Sequence, residues 1–184
     1  MDRDLVERAQ HGDREAFGVL AQGNGGRLLG IARRILRDPD LAEDVVQDTL
    51  VIAWRELPRL RDPDRFEAWL IRIVVRACYA AARSRRRRRV AGAMIELGTD
   101  GMACDPTITV SQRDELERGF RRLPADQRAV LVLHHYLGLE PARIAEVLGI
   151  PQGTARSRLH YGHRALRAVL EADARRAVAG GRTA

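Results

Sequence analysis

The sequence predicts an all-α protein of two small helical domains joined by a flexible linker. Three observations carry that expectation. Strand-like alternation is absent at any length, and apolar residues recur at helical spacing through most of the chain. Between the two periodic halves lies an aperiodic stretch holding Gly92, Gly98, Gly101 and Pro106. The expected division is a first domain over 1–88, a linker over 89–110, a second domain over 111–176 and a frayed tail over 177–184.

Four helices are expected in the first half. Residues 2–21 and 25–37 form two of them, separated at Gly23-Asn24-Gly25-Gly26. Asp38-Pro39-Asp40 breaks the chain and offers Asp40 as the N-cap of a third helix over 41–57. Pro58 and Pro63 punctuate a loop, and a fourth helix runs from Asp64 to Arg86, leading into the arginine run Arg85 to Arg89. In the second half, helical patterning from Ser111 to Arg176 is interrupted at Leu123-Pro124, Leu137-Gly138 and Gly149-Ile150-Pro151.

Composition narrows the function. The 184 residues carry a net charge of +7, and every one of the 32 basic residues is arginine. Arginine grips phosphate and guanine with two parallel hydrogen bonds, so the excess suits a nucleic-acid partner, although an arginine-for-lysine bias also arises from the composition of a genome rich in G and C. Aromatics at 4% argue against a large aromatic ligand pocket. No apolar run approaches the ~18 residues of a membrane span, and the N-terminus lacks a signal-like apolar stretch, so a cytoplasmic protein with no membrane insertion is expected. Cys78 and Cys104 have neither CxxC spacing nor a histidine cluster and read as structural or incidental thiols, with no metal site and no cofactor expected. No Ser/His/Asp order or phosphate loop is present. The adjacent His134 and His135 point about 100° apart on a helix, so no catalytic residue is expected.

The clearest local signal is a helix-turn-helix. Pro141 to Leu148 forms a short helix with Ile144, Val147 and Leu148 inward. Gly149 supplies the turn because it tolerates a positive φ, and Pro151 suits the first turn of the next helix. That helix buries Ala155, Leu159, Gly162, Leu166 and Leu170. Its outer face presents Gly153, Ser157, His160, Tyr161 and Arg164, with Arg156 and Arg158 on the shoulders. No acidic residue falls between Ile150 and Leu170. Arg156 and Arg158 are the candidates for phosphate or guanine contacts, and Gln152, Ser157 and His160 for base edges.

In the first half, the third helix places Leu41, Val45 and Ile52 on one side and Val46, Leu50, Ala53 and Leu57 on another. Between them runs a polar stripe of Asp44, Gln47, Asp48 and Arg55. Such a stripe is either a solvated face or a protein-docking edge. The fourth helix turns Phe66, Leu70, Ile73 and Ala77 inward and exposes Arg72, Arg76 and Arg83, with Trp69 at the edge of the apolar stripe. Arginines beside an aromatic can hold single-stranded DNA, although Phe66 and Trp69 also suit plain core packing.

Taken in order, these segments resemble the extracytoplasmic-function group of RNA polymerase sigma factors. Asp40-Leu41-Ala42-Glu43-Asp44-Val45-Val46-Gln47-Asp48-Thr49, with Ala53-Trp54-Arg55, resembles the family's region 2.2. Arg65 to Ile73 resembles the start of its promoter-melting helix. Leu123 to Arg128 and Ile144 to Leu159 resemble region 4. The resemblance covers nearly the whole chain and implies a sigma factor rather than an enzyme. It implies that Asp44, Gln47, Asp48 and Arg55 dock on the β′ clamp helices of core polymerase. It implies that Arg61, Asp62, Arg65, Trp69, Arg72, Arg76 and Arg83 handle the melted −10 element. Gln152, Gly153, Thr154, Arg156, Ser157, Arg158, His160, Tyr161 and Arg164 would then read the −35 duplex, with region 4 also touching the β flap. An anti-sigma partner is a further expectation.

Three departures from the family pattern stand out: Arg76 for Asn, Ala80 for Asp and Arg143 for Glu. The last removes an ion pair or adds a phosphate contact. The alternative reading is a stand-alone helix-turn-helix regulator, which leaves the stripe and the fourth helix idle.

Overall fold

The computed structural model describes residues 3–92, 117 and 119–180. The described residues are helical with no strand: α1 Arg3–Gln10, α2 Arg14–Leu36, α3 Pro39–Glu56, α4 Phe66–Gly92, α5 Ala125–His135, α6 Pro141–Leu148 and α7 Gln152–Gly180. Residues 119–122 are also helical, ending just before Pro124. Most of the expected linker lies outside the described residues.

The first helix break is not where the glycines lie. It falls at His11-Gly12-Asp13, where Gly12 has φ +93° and the Asp13 side chain accepts from the Glu15 and Ala16 amides. The Gly23 to Gly26 run stays helical inside α2. Each such glycine costs about 1 kcal/mol relative to alanine, but Leu20, Leu28, Ile31 and Ile35 on the same helix are buried, and their packing outweighs that cost. The cap of α3 also moves back. Asp38, not Asp40, accepts from the Leu41 amide at 3.1 Å, and Pro39 occupies the first helical turn. Two 3-10 turns, Leu57–Arg59 and Pro63–Arg65, fill the expected loop. α4 continues to Gly92 and α7 to Gly180, past the expected boundaries at 88 and 176.

The two helical halves also meet, a point on which the sequence carries no expectation. α5 packs on α2 and α4, and α6 packs on α4. A single apolar cluster joins Leu28, Ile35 and Val74 from the first half to Val130, Leu133 and Ile144 from the second. α4 is therefore buried over 70–71 and 73–75, on more than one side, because the second half covers part of it.

Candidate nucleic-acid interface

α6 and α7 form the expected helix-turn-helix. Gly149 closes α6 at φ +65°, and its N–H reaches the Ala145 and Glu146 carbonyls while the Ile150 N–H reaches Ala145 at 3.0 Å. This is a left-handed C-cap, which only glycine adopts without strain. Pro151 stands just before α7, where its carbonyl accepts from the Thr154 and Ala155 amides. Ala155 and Gly162 are buried, and Leu159 and Leu166 are half-buried. The side chain of Leu170 lies outside the described residues. A Cβ on Gly162 would come within 2.9 Å of Leu131 Cδ1, so the glycine lets α7 lie close against α5.

The outer face of α7 is open. Gln152, Gly153, Arg156, Ser157, His160, Tyr161 and Arg164 are exposed, and Thr154 is half-buried. Ser157 Oγ donates to the Thr154 carbonyl at 3.0 Å, and His160 stacks edge-on against Tyr161. Arg158 differs from Arg156. Its Nε lies 3.1 Å from Asp126 Oδ2 on α5, so the shoulder expected to be free of acidic partners has one from another helix. Arg143 pairs with Glu146 one turn along α6 at 2.7 Å, so its guanidinium has an intrahelical partner.

On α3 the buried row is Ala42, Val45, Thr49 and Ala53, at helical spacing, with the Thr49 hydroxyl donating to the Val45 carbonyl. The helix is not buried on two sides as expected. Val51 and Ile52 are 47% and 37% exposed, beside the exposed Asp44, Gln47, Asp48 and Arg55. The stripe is thus a mixed acidic and apolar patch. Trp54 packs on Phe17 of α2, with ring centroids 5.0 Å apart, and fixes α3 on its other side.

Of the arginines on and before α4, Arg61, Arg65, Arg76 and Arg83 are exposed. Asp62 caps the Asp64 amide and pairs with Arg65 at 3.2 Å. Phe66 is core, and Trp69 is half-buried against it at 5.8 Å between ring centroids. Arg72 is not a free surface group. Its Nε donates to the Val147 carbonyl at 2.6 Å and its Nη2 to the Glu146 carbonyl at 2.5 Å, both on α6.

Sequence reasoning missed contacts between residues distant in the chain. His135 and His163 approach across α5 and α7, Arg34 stacks on Tyr136 at 3.9 Å, and Arg128 is half-buried against α4. No residue spacing announces such pairs. Among the described residues no group of three or more His, Cys, Asp or Glu could hold a metal, and no helix is long and apolar enough to cross a membrane. Cys78 is buried, and burial pushes its thiol up to about 12, which leaves it unreactive. Cys104 lies outside the described residues.

Comparison with known proteins accounts for this arrangement. Residues 20–88 match the family model of sigma-70 region 2, and residues 113–169 match sigma-70 region 4. The chain is 37% identical to the ECF RNA polymerase sigma factor SigL of Mycobacterium tuberculosis, across 76% of this chain and 80% of that protein. It is 35% identical to the RNA polymerase sigma factor CnrH of Cupriavidus metallidurans, across 94% and 95%. Among solved structures, CnrH in complex with the cytosolic domain of CnrY superposes with a TM-score of 0.66 at 32% identity, covering 94% of this chain and 98% of that one. The sigma factor RpoE in complex with the anti-sigma factor NepR from Bartonella quintana gives 0.63 at 25%, covering 79% and 91%. With both sigma-70 regions matched in order and relatives similar over almost the full chain, the protein belongs to the extracytoplasmic-function group of sigma-70-family sigma factors.

Proposed function

We propose that this chain assembles with core RNA polymerase and directs it to promoters with a −35 and a −10 element. The observation that carries the reading is the placement of two exposed surfaces on one fold: the acidic and apolar patch of α3, and the arginine-bearing outer face of α7. A stand-alone repressor needs only the second. Asp44, Gln47 and Asp48 dock on polymerase, with Val51 and Ile52 supplying apolar area. Residues 152–164 read duplex DNA, with Arg156 and Arg164 on phosphate or guanine and Gln152, Ser157 and His160 at base edges. The small Gly153, with open space around it, allows close approach to the groove.

The −10 strand is held by Arg61, Arg65, Arg76 and Arg83, with Trp69 as a stacking surface for an unpaired base. Flipping a base costs a few kcal/mol of stacking and pairing, which contacts in the protein recover. The chain itself catalyses nothing, and it works where the polymerase is, in the cytoplasm. The solved relatives bound to an anti-sigma factor or to CnrY support a protein partner of that regulatory kind for this chain.

The test is transcription by sigma-free core polymerase on a library of random promoter sequences, with and without the purified chain. Start sites sharing a two-part upstream motif are the expected result. Duplex binding without transcript initiation would instead favour the stand-alone regulator.

A further inference from the structure

Two histidines from distant parts of the chain meet at the surface of region 4. His135 is the last residue of α5, and His163 lies on α7. The packing beside them builds their approach. Gly162 has no side chain, so α7 lies close against Leu131 of α5, where a Cβ would come within 2.9 Å of the leucine. His135 follows Leu131 by four residues, which puts both on one face of α5. His163 follows Gly162 directly. The close helix crossing thus carries the two rings together, to 5.0 Å between centroids and 2.7 Å between their Nε2 atoms.

The surroundings leave the pair chemically available. Both residues are exposed. Burial first, and then neighbouring cationic groups, holds both pKa values below the ordinary 6.5, so at neutral pH both rings are neutral and each carries a lone pair. His134 stands edge-on to His135 with ring centroids 4.8 Å apart, but its Nδ1 is engaged by the Leu139 carbonyl at 2.8 Å. It braces the His135 ring without joining the pair.

Geometry selects the ligand. Neutral imidazole is the commonest side-chain ligand of transition metals. With metal–nitrogen bonds of about 2.0–2.1 Å, two nitrogens at a right angle stand about 2.9 Å apart, and two at the tetrahedral angle about 3.3 Å. The observed 2.7 Å is close to the first and well short of the second. Right-angled coordination belongs to tetragonal Ni2+ and Cu2+, whereas Zn2+ is tetrahedral. The two rings face each other, and at the surface they are free to swing until both face one ion. Among the described residues no cluster of three or more protein ligands exists, so water completes the coordination.

We propose that His135 and His163 form a two-histidine site for a tetragonal divalent metal ion, Ni2+ or Cu2+, which bridges α5 to α7 and ties the stability of region 4 to metal. Metal capture needs neither promoter nor polymerase, so it stands apart from the function proposed above.

The test is titration calorimetry of NiCl2 into the full-length chain, made without a polyhistidine tag, beside His135→Gln, His163→Gln and His11→Gln. A single Ni2+ should bind wild type and His11→Gln alike. Losing either ring of the pair should weaken binding about tenfold or more, since removing even an outer partner of a metal ligand costs that much. At about a hundred times its dissociation constant, Ni2+ should raise the wild-type melting temperature by about 5–10 °C. That rise should vanish in the two pair variants. Proton NMR of wild type needs no variant: paramagnetic Ni2+ should broaden the ring signals of His135 and His163 before those of His11. Absence of Ni2+ binding, undiminished binding in both pair variants, or simultaneous broadening of all the histidine rings overturns the site.

Discussion

The Nε2 atoms of His135 and His163 lie 2.7 Å apart, joining α5 to α7. At that distance one ring must donate and the other accept, so at least one is neutral. Burial first, and then neighbouring histidines, hold both pKa values below the ordinary 6.5; for His163 the neighbours are His135, His134 and His160, with Arg167 adding to them. The unfolded chain then binds protons more readily than the folded one as pH falls. The pair's stabilisation is complete above about 6.5 and is lost as pH drops through the lowered native values. The melting temperature should fall between about pH 7.5 and about pH 5.5, and His163→Gln should shrink that fall because glutamine does not titrate. Calorimetry at the two pH values checks it. An undiminished fall in the variant would remove the pair as its source.

Two glycines should respond oppositely to alanine. Gly23 sits mid-helix in α2 with open space around it, so Gly23→Ala should stabilise by about 1 kcal/mol through helix propensity. Gly162 gains the same propensity, but its Cβ would meet Leu131 Cδ1 at 2.9 Å and Cγ at 3.1 Å, and Leu131 is buried. Overpacking costs about 1–3 kcal/mol and should win, giving a net loss. Denaturant titration measures both. In a Leu131→Ala background the Gly162→Ala penalty should vanish, because the clashing methyls are gone.

The contrast between those glycines also marks where the sequence was readable. The helix-turn-helix could be drawn from one-dimensional spacing, because its turn depends on Gly149 and its packing on Ile144, Val147 and Ala155 within one short segment. The glycine run Gly23 to Gly26 reads as a break but stays helical, because propensity is a local quantity. The burial of Leu20, Leu28 and Ile31 that overrides it is tertiary. The cap at Asp13 was present in the sequence as an acidic residue after glycine, but the glycine cluster downstream masked it. The domain contact was not legible at all: Arg72 bonds two backbone carbonyls, which leave no residue-type signature. The α3 stripe is legible, but the exposure of Ile52 is not, because an apolar residue at helical spacing reads as buried whether or not another element covers it.

Arg156 and Arg158 share a sequence pattern but not a fate. Arg156 is exposed, so Arg156→Ala should leave stability within about 0.5 kcal/mol while weakening discrimination at one −35 position by about 1–3 kcal/mol if it reads guanine. Arg158 is held by Asp126 and half-buried. Arg158→Ala should therefore cost stability as well, on the order of 0.5–1 kcal/mol for a partly screened pair. Thermal melts beside binding to the selected −35 duplex separate the two. Equal stability losses would mean the Asp126 pair contributes nothing.

Asp44→Arg tests the docking surface without disturbing the fold. Asp44 is exposed on α3, and the buried row of Ala42, Val45, Thr49 and Ala53 faces the other way. The melting temperature should hardly move, since surface substitutions away from caps and cores stay within about 0.5 kcal/mol. Reversing the charge replaces an attraction across a protein interface with a repulsion, and like charges there cost several kcal/mol. Co-migration with core polymerase on gel filtration should be lost, while binding of the isolated −35 duplex through α7 is retained. If the variant still co-migrates with core polymerase as wild type does, the α3 patch is not the docking edge, and the exposed Val51 and Ile52 need another explanation.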